Sequence, residues 1–394
     1  IITSIYLYII YCGCFIQSIL IFQVLKIMKN NVIQKITILI FILFIGIFSL
    51  WNVLTPAKNY SENENRTLSS LPETNIHTVF TGNYDDLFET YFSDQFVQRD
   101  SWIELKAAFK KLCGCIENNN VYFGKDDKLI RSFMSYDMRS IKQNVSMINE
   151  FAENNHIKAN VLIVPTACSI DSKDLPSGSY NVNQKELSTY LKNELVNQNY
   201  IDIYASLENH DDLYYRTDHH WNESGAYIAY EEICKQVLQK EPETFSHIEK
   251  SDSFFGTMYS RSGAFWVEPD KIIEIKPDKE IEIETTYDGT ETISSIFSEK
   301  RLNEKDKYMY YLDGNHAHVS IQTSVSNNRK AIIIQDSYAH ILIPYLISEY
   351  EQIEVFDPRY YHDSVSEFID ENTDVYFIYS MDNFVEDKNL VFLK

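Results

Sequence analysis

The sequence predicts an α/β fold: a doubly wound parallel sheet flanked by helices, with an inserted or edge β region and a hydrophobic N-terminal signal or anchor segment. Three observations predict it. Apolar, β-branched runs of strand length stand at residues 159–164, 331–334, 353–356 and 375–379, as expected of strands buried on both faces. Helical patterns alternate with these runs, the order that builds strand–helix–strand units. An unbroken apolar run, residues 36–51, precedes the rest of the chain.

Taken in order, residues 1–51 form the hydrophobic region. The apolar run follows Lys26, Lys29 and Lys35, a positive stretch ahead of a hydrophobic one. It is short against the ~20 residues of a spanning helix, yet no small-residue cleavage site follows. A cleaved signal and an uncleaved anchor both fit, and in either case the lysine side stays inside while the rest is exported. Residue 1 is isoleucine, and Met28 opens a sequence that reads as a complete signal. Residues 1–27 therefore read as upstream translation, the alternative being a second hydrophobic segment over residues 1–25. Residues 52–75, polar and carrying Pro56 and Pro72, read as a linker.

Residues 76–394 form the α/β domain. Residues 83–118 read as helical, with Ser101 and Glu104 in a capping-box pattern. A short strand and turn follow at 121–124. A helix over 140–155 places Ile141, Val145, Ile148 and Phe151 on one face. A helix at 184–197, a strand near 200–204 and a helix at 223–238 come next, the last burying Ala226, Tyr230, Ile233 and Val237. Residues 250–325 are β-rich, with strands at 271–275, 280–286 and 318–323. Pro344 is expected to kink the helix that follows residue 337.

The 57 acidic residues outnumber 35 basic ones, for a net charge of −22. Such a field repels nucleic acid and argues against it as a partner. The 28 tyrosines suit sugar rings as well as core edges. Cys12, Cys14, Cys113, Cys115, Cys168 and Cys234 have no zinc-site spacing. A Cys113–Cys115 disulfide would close a very small, strained loop, so buried or free thiols are expected.

The densest cluster of titratable groups is Asp218-His219-His220-Trp221. Histidine moves protons near neutral pH, and a carboxylate orients it. A nucleophile is found downstream at Ser337, where the run 331–334 ends in Gln335-Asp336-Ser337-Tyr338 and a helical pattern starts. A serine on a strand-to-helix turn exposes its hydroxyl beside free helix N–H groups. Each block has a plainer reading as well: Asp218–Trp221 as a turn capping the next helix, and Asp336-Ser337 as an ordinary N-cap. Metal binding by His210, Asp211, Asp212, Asp218, His219 and His220 is a further alternative, without a recognised ligand spacing. His340, three residues after Ser337, could face the site, but a helix-surface position is the first reading. Arg359 lies just past a strand, where α/β sheets bind ligands, and fits a substrate contact or a surface ion pair equally.

The Asp-His-His-Trp block followed by strand-Asp-Ser-Tyr resembles the DHHW protein family, itself similar to the SGNH-hydrolase-like domains of alginate O-acetylation proteins. Glu64-Asn65-Arg66 and Asp94-Gln95-Phe96-Val97-Gln98-Arg99 extend the resemblance over most of the chain after residue 60. It implies Asp218 and His220 as the acid–base pair and Ser337 as nucleophile. His219 fills the variable position and joins Tyr338, Asn315 and Arg359 as substrate-side candidates. The backbone N–H of Ser337 or Tyr338 would stabilise an oxyanion, with Asn315 as candidate second donor. The expected function is a serine-dependent O-acyl esterase or O-acyltransferase on a cell-surface or exopolysaccharide glycan. It would lie outside the cytoplasm, anchored through the N-terminal segment or secreted, with no metal and no cofactor. The competing expectation is an inactive SGNH-like scaffold that binds glycan or supports a cell-envelope complex.

Overall fold

The computed structural model describes residues 32–61, 66–72 and 83–393. Lys26, Lys29, Met28, Cys12, Cys14, Glu64 and Asn65 lie outside them. The chain divides into two units, one ending at Ile103 and the other beginning at Glu104.

The first unit opens with helix α1, Val32–Leu54, whose 23 residues include none that is buried. At 1.5 Å per residue it spans about 35 Å, long and apolar enough to cross a membrane. The helix thus reaches past both ends of the apolar run. A two-stranded antiparallel pair follows, β1 (Tyr60–Ser61) with β2 (Arg66–Thr67), then helix α2, Asn83–Asp94. The block after α2 pins the preceding polar stretch. Gln95 donates to the Lys58 and Ser69 carbonyls and accepts from Lys58 N–H at 2.8 Å, while Asp94 accepts from Ser69 N–H at 2.9 Å. Gln98, at φ 56°, breaks the long helix expected here, and α3 starts at once as Arg99–Leu112. Ser101 is therefore inside a helix and does not cap one.

In the second unit a small antiparallel sheet comes first, β3 (Glu117–Asn118), β4 (Val121–Phe123) and β5 (Leu129–Arg131). Helix α4, Met138–Asn154, is capped by Asp137, whose carboxylate accepts from Arg139 N–H, and it buries Ile141, Val145, Ile148 and Phe151 as its periodicity requires. The remaining elements build one eight-stranded sheet and cover it. Its strands are β6 (Asn160–Val164), β7 (Asn199–Tyr200), β10 (Ile283–Tyr287), β11 (Glu291–Ile293), β12 (His318–Thr323), β13 (Lys330–Gln335), β14 (Gln352–Phe356) and β15 (Thr373–Ser380). They lie in the order β11-β10-β12-β14-β13-β15-β6-β7. A separate hairpin pairs β8 (Phe245–Phe254) with β9 (Asp270–Pro277).

The fold is mixed α/β. Strands β14, β13, β15, β6 and β7 are parallel, whereas β12, β10 and β11 extend one edge antiparallel. The two parts differ in sequence for a physical reason. In β13 every residue from Ala331 to Gln335 is buried, while β12 alternates buried Val319, Ile321 and Thr323 with more exposed neighbours. The short β7 leads into helix α5, Tyr204–Glu208, where sequence pattern predicts a longer strand.

Chain order reverses at β13. The connection from it goes to β14 on one side, and the next returns to β15 on the other. Parallel sheets open a crevice at the carboxyl ends of their strands at such a reversal. Ser337 follows the end of β13, and Asp357 follows the end of β14.

Candidate active site

The loop carrying Asp218 is a closed turn. Tyr214 and Trp221 form an antiparallel bridge, and Tyr215 N–H donates to the His220 carbonyl at 3.2 Å. Asn222 caps helix α6, Glu223–Ile233, by accepting from Ser224 and Gly225 N–H groups. The capping role weighed for this block therefore falls to Asn222. Trp221 is fully buried and donates through Nε1 to the Tyr338 carbonyl at 2.8 Å. Tyr338 returns a hydrogen bond from its hydroxyl to the His219 carbonyl. These two bonds fasten the histidine loop to the turn after β13.

Ser337 stands on a short 3₁₀ turn, Ser337–Ala339, capped by Asp336. Asp336 Oδ1 accepts from Tyr338 N–H, and Oδ2 accepts from the Ser380 N–H, the Ser380 hydroxyl and the Asn383 amide, each at 2.9 Å. Burial raises the Asp336 pKa, and those donors pull against it. The carboxylate thereby ties the Ser337 turn to the end of β15.

Within this frame His220 Nε2 lies 2.8 Å from Ser337 Oγ, and His220 Nδ1 lies 2.6 Å from Asp218 Oδ1. Asp218 Oδ2 accepts from Thr257 N–H at 2.7 Å and from the Thr257 hydroxyl at 2.9 Å. Thr257 opens a short helix, α7 (Thr257–Ser262), preceded by Gly256. Only glycine fits there: a Cβ on Gly256 would sit 2.3 Å from Asp218 Cβ. Asp270, at the head of β9, holds the backbone just before Asp218 through Arg216 N–H, Thr217 N–H and the Thr217 hydroxyl.

Burial pushes the Asp218 pKa up, but the two histidines and the donated hydrogen bonds outweigh it and hold the carboxyl well below its usual range. Burial, then repulsion from His219, lowers the His220 pKa to about 4 against the opposing pull of Asp218. The resting pair is thus carboxylate and neutral imidazole. An ionised carboxylate only accepts, so Nδ1 of His220 carries the hydrogen and Nε2 is free to accept the Ser337 hydroxyl hydrogen.

Two aromatic contacts complete the site. The Tyr308 ring stacks on His220 with centroids 3.7 Å apart and planes 8° from parallel, and its hydroxyl donates to the Ser337 carbonyl at 2.9 Å. His340 lies beyond, its ring 6.3 Å from that of Tyr308. It is 2 % exposed, a correction to the surface position read from the sequence, and Nε2 has no hydrogen-bond partner among the described residues. The expected long helix does not form after Ser337. Pro344 sits in the first turn of a short helix, α8 (Ile343–Leu346), where its missing N–H costs nothing, so it starts a helix and kinks none.

Of the substrate-side candidates, His219 is half-buried beside His220, with ring centroids 3.9 Å apart. Tyr338 is fully buried with its hydroxyl committed, so its side chain supports the loop and is closed to a ligand. Its N–H is committed to Asp336, so of the two N–H groups expected to face an oxyanion only that of Ser337 has no acceptor among the described residues. Arg359 forms an ion pair with the fully buried Asp357 and donates to exposed Asn315 Oδ1 at 3.3 Å.

The ligand atoms of Asp218, His219 and His220 fall within 4.8 Å of one another, close enough for a metal ion. Most already have protein partners: Asp218 uses both oxygens, and His220 both nitrogens. The other acidic and histidine residues weighed as ligands are dispersed, with Asp211 paired to Lys173, Asp212 to Lys128, and His210 on the Ser206 carbonyl.

Thr257, Asp270, Tyr308 and Asp306 carry no sequence signal, because they reach the site from stretches far in sequence from both the histidine loop and Ser337. Asp306, just before Tyr308, has a pKa pushed up to about 6 by burial and by the charge of Asp218.

A mixed α/β unit with a serine, a histidine and an aspartate in hydrogen-bonded series defines the class, an α/β protein with a serine–histidine–aspartate site, similar in fold to SGNH-like proteins. The profile of the DHHW protein family matches residues 119–356, and the chain belongs to that family. Among solved structures it is similar to a DHHW family protein from Eubacterium siraeum, at 26 % identity and a TM-score of 0.61, covering 70 % of this chain and 96 % of that one. It is similar to Bacillus cereus PatB1 with a sulfonyl adduct, at 20 % identity and 0.57, covering 68 % and 97 %. The O-acetyltransferase domain of Pseudomonas putida AlgJ is 12 % identical with a TM-score of 0.46, covering 68 % and 93 %. A search of curated proteins finds no match to the chain.

Proposed function

We propose that this protein is an extracytoplasmic, serine-dependent O-acyl esterase or O-acyltransferase acting on a cell-surface or exopolysaccharide glycan. The observation that carries the reading is the unbroken series Ser337 Oγ, His220 Nε2, His220 Nδ1, Asp218 Oδ1, with links of 2.8 and 2.6 Å. Ser337 Oγ attacks the acyl carbonyl as its proton passes to His220 Nε2. Asp218 keeps the imidazole in the accepting tautomer and stabilises the imidazolium. Ser337 N–H donates to the oxyanion, and the alcohol leaves with the proton from His220. An acceptor hydroxyl or water then gives its proton to His220, bonds to the acyl carbon and releases Ser337. In this reading the parallel strands are a doubly wound core, and α1 is the export signal or anchor that puts the site outside the cytoplasm.

A second reading, a non-catalytic glycan-binding scaffold, is favoured by the state of the oxyanion hole. Tyr338 N–H is spent on Asp336, and Asn315 is exposed with its oxygen turned to Arg359. Hydrolysis of p-nitrophenyl acetate separates the two. The enzyme reading expects turnover that Ser337→Ala abolishes and that His220→Ala reduces nearly as far, because the two groups act as a unit. Turnover unchanged in folded Ser337→Ala excludes Ser337 as nucleophile; folded wild type without turnover favours the scaffold.

A further inference from the structure

Asp218 serves two imidazoles. His220 Nδ1 lies 2.6 Å from Oδ1, and His219 Nδ1 lies 3.3 Å from the same oxygen and 2.8 Å from Thr257 Oγ1. Thr257 has a single hydroxyl hydrogen and gives it to Asp218 Oδ2 at 2.9 Å. Its oxygen can then only accept from His219, so His219 Nδ1 carries a hydrogen and, in the neutral ring, Nε2 is an acceptor. Both rings turn Nδ1 toward one carboxylate, with centroids 3.9 Å apart and planes 37° from parallel. Both Nε2 atoms therefore lie on the side away from Asp218. That of His220 meets Ser337. That of His219 has no protein partner among the described residues, and the side chain keeps 19 % of its exposure.

We propose that His219 is the acceptor-side residue of this site, its Nε2 taking a hydrogen bond from the hydroxyl next to the attacking one, so that a vicinal diol of a sugar engages both imidazoles. The inference rests on the acyl-transfer reading and adds the acceptor class to it. The attacking hydroxyl gives its proton to His220 Nε2 as its oxygen bonds to the acyl carbon. Collapse breaks the bond to Ser337 Oγ, which takes that proton back. The neighbouring hydroxyl only donates a hydrogen bond to His219 and keeps its proton. Water and simple alcohols have one hydroxyl and cannot span the pair.

The test uses the full chain with p-nitrophenyl acetate as donor. The acceptor is either trans-cyclohexane-1,2-diol or 2-methoxycyclohexanol, which lacks the second hydroxyl hydrogen, and the acetylated product is quantified. Wild type should favour the diol by about tenfold, the worth of one hydrogen bond. His219→Phe, which keeps a ring and loses the nitrogen, should cut that preference to within about twofold, and His219→Gln, with an oxygen near the Nε2 position, should restore part of it. A preference equally strong in His219→Phe overturns the proposal. Nitrogen-15 NMR of the imidazoles is a second arm that needs no turnover: His219 should show the Nδ1–H tautomer, and an Nε2–H tautomer also overturns it. Wild type that neither turns over the ester nor acylates Ser337 takes down the enzyme reading, and this inference with it. Turnover without a His219-dependent preference takes down this inference alone.

Discussion

Gly256→Ala perturbs the site without touching any reacting group. The added Cβ would lie 2.3 Å from Asp218 Cβ, 2.4 Å from Oδ2 and 2.7 Å from Cγ. Relief to ordinary contact at ~3.5 Å requires a relative shift of about 1 Å. The Asp218 carboxylate is held by Thr257 N–H at 2.7 Å and the Thr257 hydroxyl at 2.9 Å, so a shift of that size breaks or bends both. It also misplaces Oδ1 relative to His220. A misplacement of ~1 Å costs on the order of 10²-fold in rate, and loss of the imidazole tautomer costs up to about 10⁴-fold in the serine-protease template. The expected loss in kcat/KM for p-nitrophenyl acetate is therefore about 10²- to 10⁴-fold, or roughly 3–5 kcal/mol of transition-state stabilisation. The loss should fall on kcat, in protein whose near-ultraviolet circular dichroism matches wild type. Activity within about threefold of wild type, in protein carrying the alanine, refutes the claim that the placement of Asp218 controls the site.

Three more outcomes are expected. With burial and His219 lowering the His220 pKa to about 4, and with Asp382 and Asp218 opposing them, the imidazole stays neutral and able to accept down to that pH. Ester hydrolysis should accordingly stay level from pH 7 to 5 and fall by half near pH 4; a limb centred near the ordinary histidine value of ~6.5 contradicts the burial argument. Tyr308→Phe keeps the ring on His220 and loses the hydrogen bond to the Ser337 carbonyl, worth ~1 kcal/mol, so kcat should fall about fivefold. Tyr308→Ala also opens His220 to water and should move the acid limb upward, and an unmoved limb counts against the stack. Protease added to intact cells should cleave the chain beyond α1, and full protection until lysis would overturn export.

The residues that were legible in the sequence are those whose role is fixed locally. Strand β13 reads directly because burial on both faces leaves a continuous apolar run, and Ser337 marks its end. Asp218 and His220 are two positions apart, so one turn brings carboxylate and imidazole together. The residues that supply the rest of the site come from afar. Thr257 and Gly256 arrive from the loop after β8, and Tyr308 comes from a stretch without apolar periodicity. His340 reads as solvent-facing only if a helix runs on from Ser337. The chain forms a 3₁₀ turn there and starts α8 only at Ile343, with Pro344 in its first turn, which turns His340 inward beside Tyr308. Gln98, a left-handed residue directly ahead of α3, separates α3 from α2, a break that a periodicity with apolar residues on either side conceals.

The most direct test is covalent labelling of the nucleophile. A fluorophosphonate reacts only with a serine activated by a neighbouring base, as the 2.8 Å contact between Ser337 Oγ and His220 Nε2 requires. Intact-mass analysis followed by peptide mapping should find one adduct, on Ser337, absent from Ser337→Ala and strongly reduced in His220→Ala. Folded wild-type protein that takes no label, or takes it on another residue, would contradict the account.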